Sequence, residues 1–453
     1  MTYSEHTTAF ERPTTPADIC RWNQMLTELH ARIAPHFARP QPRHRALLYL
    51  QGLLSEAERK NGWQLAEQAR EQTPYGMQRL LSSAVWDADL VRDEVRAYAL
   101  EHLGQQEAIL VIDETSFPKR GKHSAGVGVQ YCGTTGQVEN CQVGVFLSYV
   151  TAKGHTLIDR ELYLPVHWCE DRERCRSAGI PETVRFQTKP ELAQRMIERT
   201  RQAGVAVSWV VADTVYGGNL DLRTWLQEQG YSYVLAVACH EPVGLQTPDG
   251  RKRVQVGQVE ALMLEPDDWH RLSMGEGTKG PRLFDWAVVP ILHRWEDDGR
   301  HFLLIRRSLT DREDKQYFLV FAPPGTSLQQ MVLACGARWR IEQDFETTKD
   351  MGLDHYQVRS FTAWYRHVTL VLLVQAYLSG ICIRSEAAST PPVGTLLDRE
   401  PLHLTLPEIR HLLGHLIWPA SSNVRRVLAW SWWRRCHHRC ASYYHRKRRR
   451  ETG

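Results

Sequence analysis

Ala108-Ile109-Leu110-Val111-Ile112-Asp113 is a short apolar run, rich in β-branched residues, that leads directly into a carboxylate. Runs of this length and composition read as buried strands rather than helices. A second stretch, Val207-Ser208-Trp209-Val210-Val211-Ala212-Asp213, has the same form and the same ending. A carboxylate at the mouth of a buried strand is costly unless it is paired or holds a cation, so two such endings point to a shared purpose. A third acid, Glu342, lies in the helical-looking Arg338-Trp339-Arg340-Ile341-Glu342-Gln343-Asp344-Phe345-Glu346. Arg338 four residues before it and Lys349 seven residues after it fall on the same helix face.

Outward from the first strand, Gln142 to Val150 and Thr156 to Leu164 read as two further strands, and Lys189 to Gln202 as a helix before the Asp213 strand. Leu220 to Gln229 reads as the helix after it. This order predicts a mixed α/β fold with an RNase H-like core over 105–230 and 334–386. Between them, 231–333 reads as a β-rich insertion, with strands at Tyr233–Val237, Leu283–Leu292, Phe302–Arg306 and Tyr317–Phe321. Residues 1–104 read as all-helical: Asp18 to Ile33, closed by Pro35 and Pro40, then Arg45 to Ala57, a short helix from Gly62, Tyr75 to Val85, and Asp87 to Leu103. Thr73 is the expected N-cap and Pro74 the first helical residue of Tyr75–Val85. That helix and the one before it resemble a helix-turn-helix, a DNA-binding pair that would present Gln78 and Arg79, although such pairs also occur in proteins that bind no DNA. Ser389 to Gly394 reads as a linker into a helical, basic region over 387–453.

Composition is that of a globular protein: 453 residues, 42% hydrophobic, 24% charged, and a net charge of only +4. The charge is unevenly spread. Ten Arg and Lys between Arg425 and Arg450 face the single acid Glu451, interleaved with Trp430, Trp432, Trp433, Tyr443 and Tyr444. Such a tail either contacts phosphates and stacks on bases or is a solvated helix end. No secretory signal is visible at Met1–Phe10. Val368 to Ile383 is interrupted by Gln375, Ser379 and Gly380 and falls short of the ~20 residues a membrane span needs, so it reads as a buried helix. The ten cysteines are scattered, as expected of reduced thiols in the cytoplasm. Cys436-His437-His438-Arg439-Cys440 offers zinc-type ligands but lacks a second pair nearby, and reads as basic helix.

Two aspartates and a glutamate with cationic neighbours suit phosphodiester chemistry. Two divalent ions roughly 4 Å apart activate a hydroxyl, stabilise the leaving oxygen and shield charge. Hard oxygen ligands select Mg²⁺ or Mn²⁺. Asp113 would bridge both ions, while Asp213 and Glu342 would hold one each. Arg338 and Lys349 would grip adjacent phosphates. Lys119, Arg120 and Lys122 would lie at the mouth of the site and contact DNA, or form an ordinary solvated loop. Glu114 should point to the opposite face of the strand. Glu346, one turn from Glu342, is the strongest rival for the third position.

Arg338-x3-Glu342-x6-Lys349 resembles the R-(3)-E-(6)-K part of the signature Y-(2)-R-(3)-E-(6)-K, which marks a branch of bacterial insertion-sequence DDE transposases. Asp113-Glu114-Thr115-Ser116-Phe117 is similar to their first acidic motif, and Asp213-Thr214-Val215-Tyr216-Gly217 to their second. The resemblance spans residues of about 40 to 385 and includes the β insertion. The signature tyrosine would fall at Cys335, which can neither stack nor donate as a phenol does. The resemblance implies a transposase that binds double-stranded DNA at terminal inverted repeats and, as a homodimer, cuts its ends and joins them to target DNA. Tyr216 is placed among the DNA contacts, and Trp269, Trp286 and Trp295 are candidates to receive a flipped base. No nucleotide-binding G-x-x-x-x-G-K-[ST] is present, as transesterification conserves bond energy. Two other readings stay open: a nuclease that cuts without joining, and a non-catalytic DNA-binding derivative.

Overall fold

The described residues up to Leu103 are helical because their apolar residues recur at three- and four-residue spacing. Ile19, Trp22, Met25, Leu26, Leu29 and Ile33 form the buried stripe of α1 (Pro16–Ile33), which Thr15 and Asp18 start with a capping box. The computed structural model describes residues 14–277, 280–388, 404–418 and 424–451; the expected Ser389–Gly394 linker lies outside them. Next come α2 (Pro40–Leu54), α3 (Gly62–Gln68), α4 (Tyr75–Ser82) and α5 (Ala88–Leu103). Pro40 opens α2 instead of closing the preceding helix, because its missing N–H is harmless in a first turn. Pro74 likewise occupies the cap position of α4, one residue before its expected place.

The sheet begins with β1 (Ile109–Pro118), β2 (Gly128–Cys132), β3 (Gln137–Thr151) and β4 (Gly154–Tyr163). Then follow α6 (Val166–Glu170), α7 (Arg172–Ser177), α8 (Lys189–Gln202), β5 (Trp209–Ala212), α9 (Thr214–Gly217), α10 (Leu220–Glu228) and β6 (Ser232–Val237). Strand β3 pairs antiparallel with β4 and β1, and β5 lies parallel to both β1 and β6. The order β4-β3-β1-β5-β6 is the RNase H-like arrangement. Alternation sorts the faces. Val111, Val211 and Phe146 join the core shared with the N-terminal helices, whereas Leu110, Ile112, Val210 and Ala212 pack with Leu192, Met196 and Ile197 of α8.

Residues 231–333 are strand-rich, but β6, at their start, belongs to the core as its fifth strand. The rest comprises β7 (Pro242–Thr247), β8 (Gly250–Gln255), α11 (Val259–Met263), β9 (His270–Gly277), β10 (Gly280–Pro290), β11 (His301–Arg307) and β12 (Lys315–Phe321). Only β7 and β8 form a separate ribbon. Strand β12 pairs with β6, and β11, β10 and β9 follow outward, so one ten-stranded sheet runs through core and insertion.

The chain closes with α12 (Leu328–Gly336), α13 (Arg338–Asp350), α14 (Phe361–Ala388), α15 (Leu406–Leu416) and α16 (Val424–Glu451). Helix α14 is longer than its apolar run suggests, and Phe361–Ser385 is long and apolar enough to cross a membrane. Here it is packed inside the protein, against α5, α4, α2 and β4. Its polar interruptions have internal partners. Gln375 accepts from the Leu157 amide, Ser379 donates to the His155 carbonyl, and His367 meets Tyr49 and the Gly352 carbonyl. Satisfied in this way, they cost little when buried.

Candidate active site

Strand β1 does not end at Asp113. It runs five residues further because Glu114 to Pro118 keep pairing with β3. What ends there is the parallel pairing with β5, whose last partners are Ile112 and Ala212. The next residues, Asp113 and Asp213, therefore sit side by side on strands about 4.8 Å apart. Asp213 also caps α9, accepting from the Val215 amide at 3.0 Å. From α13, Arg338 reaches both remaining acids: its guanidinium donates to Asp113 at 3.4 Å and to Glu342 one helical turn on. Arg338 thus links Asp113 to Glu342, and Asp213, beside Asp113, lies in the field of the same cation.

The electrostatics of this cluster are unfinished. Burial, and next the charge of Asp213, push the Asp113 carboxyl up to about 7, against which Arg338 and the Glu114 amide act only partly. Burial and then the charge of Glu114 also raise Asp213. Adjacent, largely buried carboxylates held above their ordinary range are short of positive charge. Their hard oxygens fit a divalent cation, which would relieve that shortage.

Helix α13 is held in place by its far side. Asp344 is fully buried, accepting from Ser148 and Gln375 and pairing with His155 at 2.8 Å. Phe345 packs edge-on against Phe146 of β3. Glu346, the anticipated rival, is exposed. Glu342 is the acid that Arg338 links to Asp113.

The other expected site residues scatter. Lys349 lies on the same helix about 10 Å beyond Glu342, at 1.5 Å per residue. Gln78 and Arg79 are exposed on α4. Lys119, Arg120 and Lys122 are not at the mouth of the site. The continuing strand, which ends at Pro118, puts Lys119 about 20 Å past Asp113 at ~3.3 Å per residue, with Arg120 and Lys122 in the loop that follows. Lys119 there sits 3.5 Å from the Tyr356 ring centroid, with burial lowering its ammonium to about 8. Tyr216 does not face DNA. It is wholly buried and donates its hydroxyl at 2.6 Å to Glu114, which Lys189 neutralises on the α8 face of the sheet. Trp286 is also wholly buried and cannot receive a base. Trp269 is half-buried under Arg307, and Trp295 is exposed. Cys335 is buried, its thiol pushed up to about 12 by desolvation. Cys436 and Cys440 are exposed on α16.

Two contributors leave no mark in the local sequence. Arg282 of β10 stacks on Trp339 with its centre 4.6 Å from the ring and lies in the field of Glu342. Arg306 of β11 lies close enough to Arg282 and Arg338 to feel their charge. Both come from the insertion, and only its pairing into the core sheet brings them here. Gly217 belongs to the second motif, but its reason lies in a distant contact. A Cβ there would lie 1.9 Å from the Ala236 carbonyl oxygen, so only glycine lets α9 pack on β6 behind Asp213.

The family of DDE superfamily endonucleases matches residues 32–281, and the transposase DDE domain matches residues 187–376. The first span contains Asp113 and Asp213, the second Asp213 and Glu342. The chain is 28% identical over 351 residues to the probable transposase for insertion sequence element IS701 of Microchaete diplosiphon, covering 75% of this chain and 82% of that protein. Among solved structures, it is similar to the piggyBac transposase in a synaptic complex with hairpin DNA, at 12% identity and a TM-score of 0.39, over 91% of this chain and 73% of that one. It is also similar to the NurA nuclease of Sulfolobus solfataricus, at 9% identity and a TM-score of 0.23, over 55% and 80%. Both structural likenesses are too distant to bear on the chemistry.

Proposed function

The chain belongs to the DDE superfamily of endonucleases and is an insertion-sequence transposase within it, and we propose that it both cuts the ends of its element and joins them to target DNA at Asp113, Asp213 and Glu342. The observation that carries this reading is the Arg338 bridge between Asp113 and Glu342, with Asp213 next to Asp113 in register. The family depends on divalent metal. Asp113, Asp213 and Glu342 would hold two Mg²⁺ or Mn²⁺ ions, which when bound supply an activated hydroxyl and a stabilised leaving oxygen.

In cleavage, a water oxygen bonds to phosphorus and the bond from phosphorus to O3′ breaks, freeing a 3′-hydroxyl. In transfer, that hydroxyl attacks a target phosphodiester and the target's own phosphorus–O3′ bond breaks. Each step makes and breaks one phosphorus–oxygen bond, so no nucleotide cofactor is required. Arg338, once a divalent charge satisfies the acids, can turn its guanidinium to phosphate oxygens beside the scissile bond. Asp344 holds α13 so that Glu342 faces the strand-borne acids. The helical region, through Gln78 and Arg79 of α4, reads the inverted repeats, and the exposed arginines of α16 add backbone contacts. Two ends must be joined, so a homodimer is the smallest working assembly.

Purified chain incubated with Mg²⁺, an end-bearing duplex with a free 3′-hydroxyl and a plasmid should give joined products, and Asp113→Ala should give none. Cleavage without joining would replace this reading with that of a simple nuclease. Binding without any nicking would replace it with a DNA-binding role.

A further inference from the structure

A second candidate metal site lies away from the acids, where the chain after α2 meets α15. His411 and His415 stand one turn apart on α15, with ring centroids 4.1 Å apart. Glu56 lies across them, its Oε1 3.8 Å from the Nδ1 of each. Gly414 makes this approach possible: a Cβ there would sit 3.2 Å from the same oxygen and 3.4 Å from the Leu54 carbonyl oxygen. The ligand atoms all lie within 4.8 Å of one another, and among the described residues this is the one group of three His, Cys, Asp or Glu so placed. Ligand bonds of ~2.0–2.2 Å in a tetrahedron put ligand atoms about 3.4 Å apart, so small side-chain rotations close the shell. The His415 Nδ1 also lies 3.2 Å from the His411 carbonyl oxygen. Ligation through Nδ1 gives up this bond, whereas a ring that keeps it must turn to offer Nε2.

We propose that Glu56, His411 and His415 form a structural site for a borderline divalent ion of the zinc class, with water in the fourth position, clasping the turn after α2 to α15. Two imidazoles and one carboxylate suit zinc, and they differ in kind from the all-carboxylate centre. Ile409 and Leu413 already seat α15 in the core, so the ion would fasten a helix that is already docked. This site stands independently of transposition.

The test is a titration of the full chain, stripped with chelator, with Co²⁺ and then Zn²⁺. One Co²⁺ per chain, beyond any taken up by the carboxylate centre, should bind with visible d–d absorption, Zn²⁺ should displace it, and Zn²⁺ should raise the thermal unfolding midpoint. All three side chains are exposed, so His411→Ala and His415→Ala should fold normally while each weakens zinc binding at least about tenfold. A variant with Asp113→Asn and Glu342→Gln should keep the band and the shift. No visible band, thiolate charge-transfer absorption, or binding that survives the paired histidine substitution would overturn the proposal.

Discussion

Asp113 shows how much one side chain can report. It is half protonated near pH 7 when folded, against an ordinary value of 3.8. Folding therefore takes up a proton between those limits, so stability falls as pH rises from about 4 to 7 and stays lowered above. Asp113→Asn should then stabilise the metal-free chain at pH 8 by about 2 kcal/mol, with little effect at pH 4, as read by denaturant unfolding. Mg²⁺ should stabilise the unsubstituted chain at pH 8 and the variant much less. The same substitution should lower strand cleavage by about a thousandfold, the rate equivalent of several kcal/mol of transition-state stabilisation. At this scale the elements that carry the three acids were legible, because each sits in local sequence that announces a strand or a helix. The partners of Glu114 were not: its opposite face follows from alternation, but Lys189 and Tyr216 arrive from 75 and 102 residues away. Asp344 looked like a neighbour of Glu342 and is instead a buried anchor.

Helix α13 and turn α9 are what turn those residues into a site. Replacing Asp344 by alanine would leave His155, Ser148 and Gln375 facing an empty buried position, costing about 3–5 kcal/mol. Asparagine should cost less, about 1–3 kcal/mol, because it can still accept hydrogen bonds. If α13 depends on this anchor, cleavage should fall with both, measured at a temperature where each variant is still folded. Gly217→Ala should force α9 off β6, costing about 1–3 kcal/mol and displacing Asp213. Its signature would be weaker Mn²⁺ binding than the stability loss alone explains. Element identities were readable from periodicity, and the start of α4 at Pro74 to within a residue, but not the start of α2, where Pro40 opens the helix that it was expected to precede. The length of β1 was missed for a physical reason: Thr115 to Phe117 continue the ladder with β3, a long-range pairing that local sequence does not display. That extra length is what carries Lys119, Arg120 and Lys122 away from the acids.

Across the whole molecule, one sheet couples the insertion to the three acids, and one helix couples the basic tail to the N-terminal helices. Arg282 and Arg306 reach the site only because β12 pairs with β6. Helix α16 lies on α3: Trp433 packs edge-on against Trp63, Arg434 pairs with Glu67 at 2.6 Å, and the Trp430 indole donates to the Glu71 carbonyl. This leaves Arg425, Arg435 and Arg439 exposed. Replacing these three by alanine should weaken DNA binding evenly across sequences and flatten its log–log salt dependence by about 0.9 for each phosphate no longer neutralised. An unchanged salt slope would mark α16 as a structural brace only. The sequence order foretold the RNase H-like core and a strand-rich insertion, but not that the two share a sheet, since strand partners far apart in sequence leave no local trace. Everything at the site turns on Asp113, Asp213 and Glu342 sharing divalent metal. The direct measurement is to crystallise the chain with an end-bearing duplex and Mn²⁺ and locate manganese by its anomalous scattering. Manganese should be bound by Asp113 and shared with Asp213 and Glu342, with Arg338 turned to the DNA; manganese bound elsewhere, or Glu342 left without a share of it, would show that these acids are not the metal centre.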